Sequence, residues 1–156
     1  MDTEIANRAN KGVLEYLGAI RDNYTSLLAP PDSVTDPYMS QGSHPDIVTR
    51  LWDELGTVLP KDCRYLVCGS PALVHQRSGI VLAIAIGTQY ALRIPLDCRQ
   101  EAELVGAKLS MEWSNGSVWD LRLTLGDDWV LGSWLSNEEQ WCRTVYDRIE
   151  QGTWLL

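Results

Sequence analysis

Apolar residues recur along this chain with two different periods, and the switch between them divides it. Val13, Tyr16, Leu17, Ile20, Tyr24, Leu27 and Leu28 follow one another at three- and four-residue spacing, one stripe of an amphipathic helix over residues 3–29. Thr3 suits its N-cap, and Pro30-Pro31 ends it because neither proline can continue the hydrogen-bond ladder. Residues 30–43, rich in Pro, Asp, Ser and Gly, read as a loop. A second helix is expected after a Ser43 cap, with Pro45 in its first turn. Its stripe is Ile47, Val48, Leu51, Trp52, Leu55, Val58 and Leu59, and Pro60 stops it.

Short apolar runs bounded by turn residues then predict strands over 64–69, 71–75, 80–86 and 89–94, with a turn at 76–79. A two-residue turn at Gly87-Thr88 pairs Ile86 with Gln89, Ala85 with Tyr90, Ile84 with Ala91, Ala83 with Leu92, Leu82 with Arg93 and Val81 with Ile94. The competing reading is one long strand with a bulge at Gly87. A short helix is expected over 97–108. A hairpin of 109–113 and 118–125 follows around Asn115-Gly116, a pair suited to a type I′ turn with positive φ at both positions. In its second strand Trp119, Leu121, Leu123 and Leu125 would share a face. After a turn at 126–128 and a strand at 129–135, Ser136 and Glu139 have capping-box spacing before a last helix that Gly152 ends. Trp141, Val145 and Ile149 lie on one face of it, beside Cys142 and Tyr146. The expectation is one α+β domain over residues 1–156. An antiparallel sheet would carry two N-terminal helices, a short middle helix and a C-terminal helix packed on it.

Composition narrows the function classes. The 156 residues are 45% hydrophobic and 22% charged, which excludes a disordered chain or a fibrous rod. The net charge of −8 argues against nucleic-acid binding. Residues 1–62 sum to −5 and 97–156 to −6, whereas 63–96 hold no acid and three arginines, Arg64, Arg77 and Arg93. The longest apolar run is seven residues, Ile80 to Ile86, too short to cross a membrane. Residues 1–12 do not read as a signal peptide, so the four cysteines are expected as reduced thiols of a cytosolic protein. Cys63 and Cys68 make only one loose pair, and no P-loop, dinucleotide fingerprint or nucleophile elbow is present. No metal or cofactor is expected.

Two sets of residues carry the functional expectations. Ile80, Leu82, Ile84 and Ile86, beside Gln89 and Arg93, form an apolar sheet face opposite the small Ala83 and Ala85. Helix residues 3–29, a protein partner or a second copy of the chain would cover that face, a homodimer being the simplest arrangement. Trp134 adds an aromatic of opposite facing to Trp129 and Leu131, and tryptophan is enriched at binding hot spots. The second set is Arg64, His75, Arg77 and Arg93, whose guanidinium forks match phosphate or carboxylate ligands. It supports the alternative of a small-molecule or anion binder, with or without catalysis. In size, acidity and mixed helix–sheet order the chain is similar to bacterial secretion chaperones and to immunity proteins that neutralise toxins. That likeness implies a non-catalytic protein-binding module, and the acidic surface suits a basic partner.

Overall fold

The computed structural model describes residues 3–20, 28–33, 35–38, 43–112 and 115–152. The fold is α+β. Six antiparallel strands form the main sheet: β1 (Leu28–Ala29), β2 (Arg64–Val67), β3 (Ser70–His75), β4 (Ile80–Ile86) and β5 (Gln89–Arg93) in sequence order, with β8 (Trp129–Leu131) added beyond β5. Short turns join β2 to β3, β3 to β4 and β4 to β5 and make these pairs antiparallel, whereas β1 and β8 reach the sheet by long connections. A separate hairpin pairs β6 (Ser110–Glu112) with β7 (Val118–Asp120).

Helices cover both faces of the sheet. Helix α1 (Thr3–Ile20) and a single turn, α4 (Leu121–Thr124), lie on one face, where Val13, Leu17, Ile84, Ile86, Ala91, Met111, Leu121, Leu125 and Trp129 form one core. Gly12 sets how closely these two pieces cross, since a Cβ there would stand 2.4 Å from the Leu125 carbonyl oxygen. The other face packs against the helical run that begins with α2 (Pro45–Thr49) and against α5 (Asn137–Gln151). Past α2 the winding loosens over Arg50–Leu55, where the Gly56 N–H donates to the Leu51 carbonyl five residues back, and the run ends at Val58. This keeps Ile47, Val48, Leu51, Trp52 and Leu55 all in the core. A short helix, α3 (Arg99–Leu104), buries Ala102 in the same core.

Several expectations hold at residue level. The Gly87-Thr88 hairpin sets Ile86 opposite Gln89, Ala85 opposite Tyr90, Ile84 opposite Ala91 and Ala83 opposite Leu92. Trp141, Cys142, Val145, Tyr146 and Ile149 are buried along α5, and Gly152 closes it at φ 74°.

Others are corrected. The first helix does not reach residue 29: Leu28 and Ala29 pair with β2, and the stripe positions Tyr24 and Leu27 lie outside the described residues. His44 rather than Ser43 caps α2, its Nδ1 accepting from the Asp46 N–H. The Asn115-Gly116 loop spans five residues between the paired Glu112 and Val118, and of the two only Gly116 has positive φ. Asn115 instead accepts the Ser117 N–H through its side chain, a turn that needs no left-handed Asn. The strand expected through residue 125 ends at Asp120, whose carboxylate takes the Arg122 N–H and starts a helical turn. Leu121 and Leu125, four apart, both face the core, while Leu123 is 86% exposed.

The sharpest correction lies in β4. Its register against β3 shifts between Leu73 and Val74, so that Val74 pairs with Val81, Leu73 pairs with Ala83, and Leu82 is the extra residue. A bulge inverts the alternation beyond it. Val81 therefore joins Ile84 and Ile86 in the core beneath α1, while Ile80 and Leu82 join Ala83 and Ala85 in the core beneath α5. The four aliphatics share no face.

Candidate functional site

Ile80, Leu82, Ile84 and Ile86 are each at most 4% exposed, so none of them offers surface to a partner or to a second copy of the chain. Each face they lie on is already occupied by helices of the same chain.

The arginine and histidine set is likewise dispersed. Arg93 is buried beneath α1. Its Nε donates to the Val81 carbonyl (2.5 Å), one terminal nitrogen to Asp128 (2.6 Å) and the other to the Ala9 carbonyl (2.6 Å), and its guanidinium stacks on Trp129. Asn10 takes the Val81 N–H. Helix α1 and Arg93 together thus satisfy both backbone groups of Val81, at the bulge. Burial pulls the Arg93 pKa down, against the pull of Asp128. Arg64 is exposed at the start of β2 and grips Asp62 through two nitrogens.

Only His75 and Arg77 converge, on Glu150 of α5. His75 is buried, with Nε2 2.6 Å from Glu150 Oε1 and Nδ1 2.7 Å from Ser78 Oγ; Arg77 pairs with the other Glu150 oxygen at 3.3 Å. The Ser78 N–H also points at Nδ1, which makes Nδ1 an acceptor and assigns the ring proton to Nε2, toward Glu150. Burial lowers the His75 pKa, partly offset by Glu150, and the hydrogen bond from His75 lowers that of Glu150. The cluster braces the 76–79 turn against the end of α5. His75 is committed to that bracing through both ring nitrogens, whereas Arg77, 67% exposed, joins it through one terminal nitrogen.

A different constellation stands out at the junction of β5, α5 and the loosened helical segment. Three groups meet in the interior: the Arg50 guanidinium, the Tyr90 hydroxyl and the Glu138 carboxylate. Tyr90 donates to Glu138 Oε1 at 2.5 Å, and Arg50 reaches the same oxygen at 3.1 Å and the Tyr90 hydroxyl at 3.3 Å. Arg50 also binds Glu54 at 2.8 Å, whose side chain is 46% exposed. Burial draws the Arg50 pKa down, but the hydrogen bonds to Tyr90, Glu54 and Glu138 outweigh it and leave it raised. Burial, then Glu138, raises that of Tyr90.

This triad dictates the path of residues 132–135. The Ser133 N–H donates to Glu138 Oε2 (2.8 Å), the Trp134 N–H to the Tyr90 hydroxyl (2.8 Å), and Arg50 donates to the Leu135 carbonyl (3.2 Å). The Gly132 N–H bonds the Tyr90 carbonyl at 2.6 Å, and a Cβ at Gly132 would stand 1.9 Å from the Tyr90 ring. So bound, Trp134 takes a left-handed backbone, φ 55°, which a residue with a Cβ adopts at a cost of about 1–2 kcal/mol. Its indole meets Tyr90 edge-to-face, centroids 5.0 Å apart, and is otherwise open, 52% exposed. Trp52, Trp129 and Trp141 are by contrast buried. The other large exposed apolar side chains, Leu96, Leu104, Val105, Val118 and Leu123, carry no comparable buried support, and single exposed hydrophobes are ordinary.

Of the sequence candidates, Trp134 is the one at this site; Arg50, Tyr90 and Glu138 were missed. One signal was available. Arg50 is a cation three residues past Ile47, within an apolar stripe, where a charge needs an internal partner. Glu138 by its position is a first-turn acid of α5, which by itself marks no interior role. The expected capping box does not form: the Ser136 side chain makes no cap bond, and Glu138, turned inward, takes the upstream N–H instead.

Among the described residues no group of three or more His, Cys, Asp or Glu could hold a metal ion, and no helix is long and apolar enough to cross a membrane. The cysteines are unbridged, and burial pushes the Cys63 and Cys142 thiols up to about 12, which leaves them unreactive. Comparison with protein-family models, with curated proteins and with solved structures gives no match.

Proposed function

We propose that the protein is a non-catalytic protein-binding module and that Trp134 is the anchor it presents. The observation that carries this reading is the combination of an exposed indole, a left-handed non-glycine backbone, and three buried polar groups that hold it there. Strain of this kind persists only where the surroundings over-determine it, and it collects at binding and catalytic positions. Tryptophan supplies a large contact area at little conformational cost, and a rigid loop reduces what must be ordered on binding. The anion-binding alternative draws no support from the separation of Arg64, Arg93 and the His75–Arg77 pair.

Capture experiments with the full chain test the reading. Wild type and Trp134→Ala are immobilised side by side, with Leu123→Ala as a control for an exposed apolar side chain lying elsewhere. Proteins retained by wild type and Leu123→Ala but lost by a folded Trp134→Ala support the reading. An identical retained set for all three refutes it.

A further inference from the structure

The charge around Trp134 indicates what kind of partner would sit there. Arg50 is the one cation of the network, and two carboxylates converge on it, Glu54 and Glu138. The trio therefore carries one net negative charge. Glu138 is fully enclosed, so that excess is expressed at Glu54, whose side chain is 46% exposed. Glu54 is one guanidinium away from the Leu135 carbonyl, next in the chain to Trp134. Glu139, exposed in the first turn of α5, adds a second carboxylate, and residues 123–142 contain no lysine or arginine. An apolar or acidic partner covering this ground would strip water from Glu54 without replacing its hydration. A partner cation would both balance the charge and lie against the electron-rich indole face. The Trp134 indole N–H has no acceptor among the described residues and is available to a partner carbonyl.

We infer that the Trp134 site takes a basic peptide segment, with an arginine or lysine lying over the indole and its charge directed at Glu54. This inference rests on the reading of Trp134 as a partner anchor and adds the chemistry of what it anchors. A guanidinium suits such a site better than an ammonium, since its plane stacks on aromatic rings and its fork pairs with carboxylates.

The test uses the full chain and two capped peptides, tetra-arginine and its neutral isostere tetra-citrulline. The readout is the indole N–H resonance of Trp134, assigned by its loss in Trp134→Phe. Tetra-arginine should shift that resonance saturably and tetra-citrulline should not. Glu54→Gln should weaken the arginine peptide roughly five- to tenfold, and added salt should weaken it further. Equal shifts with both peptides, or no loss of affinity in Glu54→Gln, would overturn the cationic assignment. So would a Trp134 resonance that neither peptide moves. In each of these cases the capture experiment decides the parent reading separately, because loss of retained protein in Trp134→Ala does not depend on the partner's charge.

Discussion

Each face of the sheet buries an arginine, and the two are used differently. Arg93, under α1, ends wholly inside the protein, on one carboxylate, two backbone carbonyls and the Trp129 ring. It mends the bulge in β4 and ties α1 to the sheet. Arg50, on the α5 side, ends on two carboxylates, a tyrosine and the carbonyl of a surface loop, so its network runs from the interior to an exposed indole. A buried charge is poor evidence of stability in either place, because desolvation offsets most of the Coulombic gain. What separates the two is the last group in each network. The Arg93 network ends on backbone that must be satisfied for the sheet to exist. The Arg50 network ends on a strained backbone position whose side chain is exposed.

That contrast can be broken, starting with its largest expected effect. Ile84→Lys places an unpaired ammonium in the closed α1 face and should unfold the protein outright, since a lone buried charge costs several kcal/mol. A folded, soluble Ile84→Lys variant would mean that this face opens to solvent. Arg93→Ala leaves Asp128 and the Val81 and Ala9 carbonyls without their donor, and should cost about 3–5 kcal/mol in denaturant melts. A loss well under that would show that water replaces the guanidinium. Glu138→Gln keeps the shape of the other network but removes its charge, and should cost less, about 1–3 kcal/mol. It should also weaken partner capture, which Arg93 variants that remain folded should not.

Trp134 separates strain from function. Alanine and glycine both remove the indole, but only glycine accepts the left-handed backbone freely. Trp134→Gly should therefore be more stable than Trp134→Ala by about 1 kcal/mol, with partner capture absent in both. Equal stabilities would place the residue outside the left-handed region in solution.

The smallest effect concerns the brace at the end of α5. His75 holds its proton less tightly when folded than its ordinary value of 6.5, because burial penalises the imidazolium. Its contribution is therefore complete above that value and declines as the pH falls through and below it. Glu150 sits below its ordinary 4.5, so its contribution is complete above 4.5 and is lost on further acidification. Both erode stability in acid. Thermal melts should show wild type losing more between about pH 7 and pH 5 than His75→Asn does. Parallel curves would remove His75 as the cause.

The sequence alone determined what depends on local spacing and on turn chemistry. The apolar stripes located α1, the helical run from Pro45 and α5. Gly87-Thr88 set the register of β4 against β5, because a two-residue turn leaves one pairing. The gaps in the reading share a physical cause. Alternating leucines from Trp119 to Leu125 fit a strand, yet Leu121 and Leu125 fit a helical turn equally well, and Asp120 capping the Arg122 N–H decided between them. The bulge at Leu82 has no local mark: Ile80 to Ile86 is apolar throughout, and only pairing with β3, the Asn10 oxygen that accepts the Val81 N–H and the Arg93 nitrogen that donates to the Val81 carbonyl reveal where the alternation inverts. The triad beneath Trp134 joins residues 50, 90 and 138, which no window of sequence contains. Tertiary structure decided the site because a buried charge is tolerated only when distant partners arrive together. Those partners, rather than any local preference of Trp134, set its backbone and its exposure.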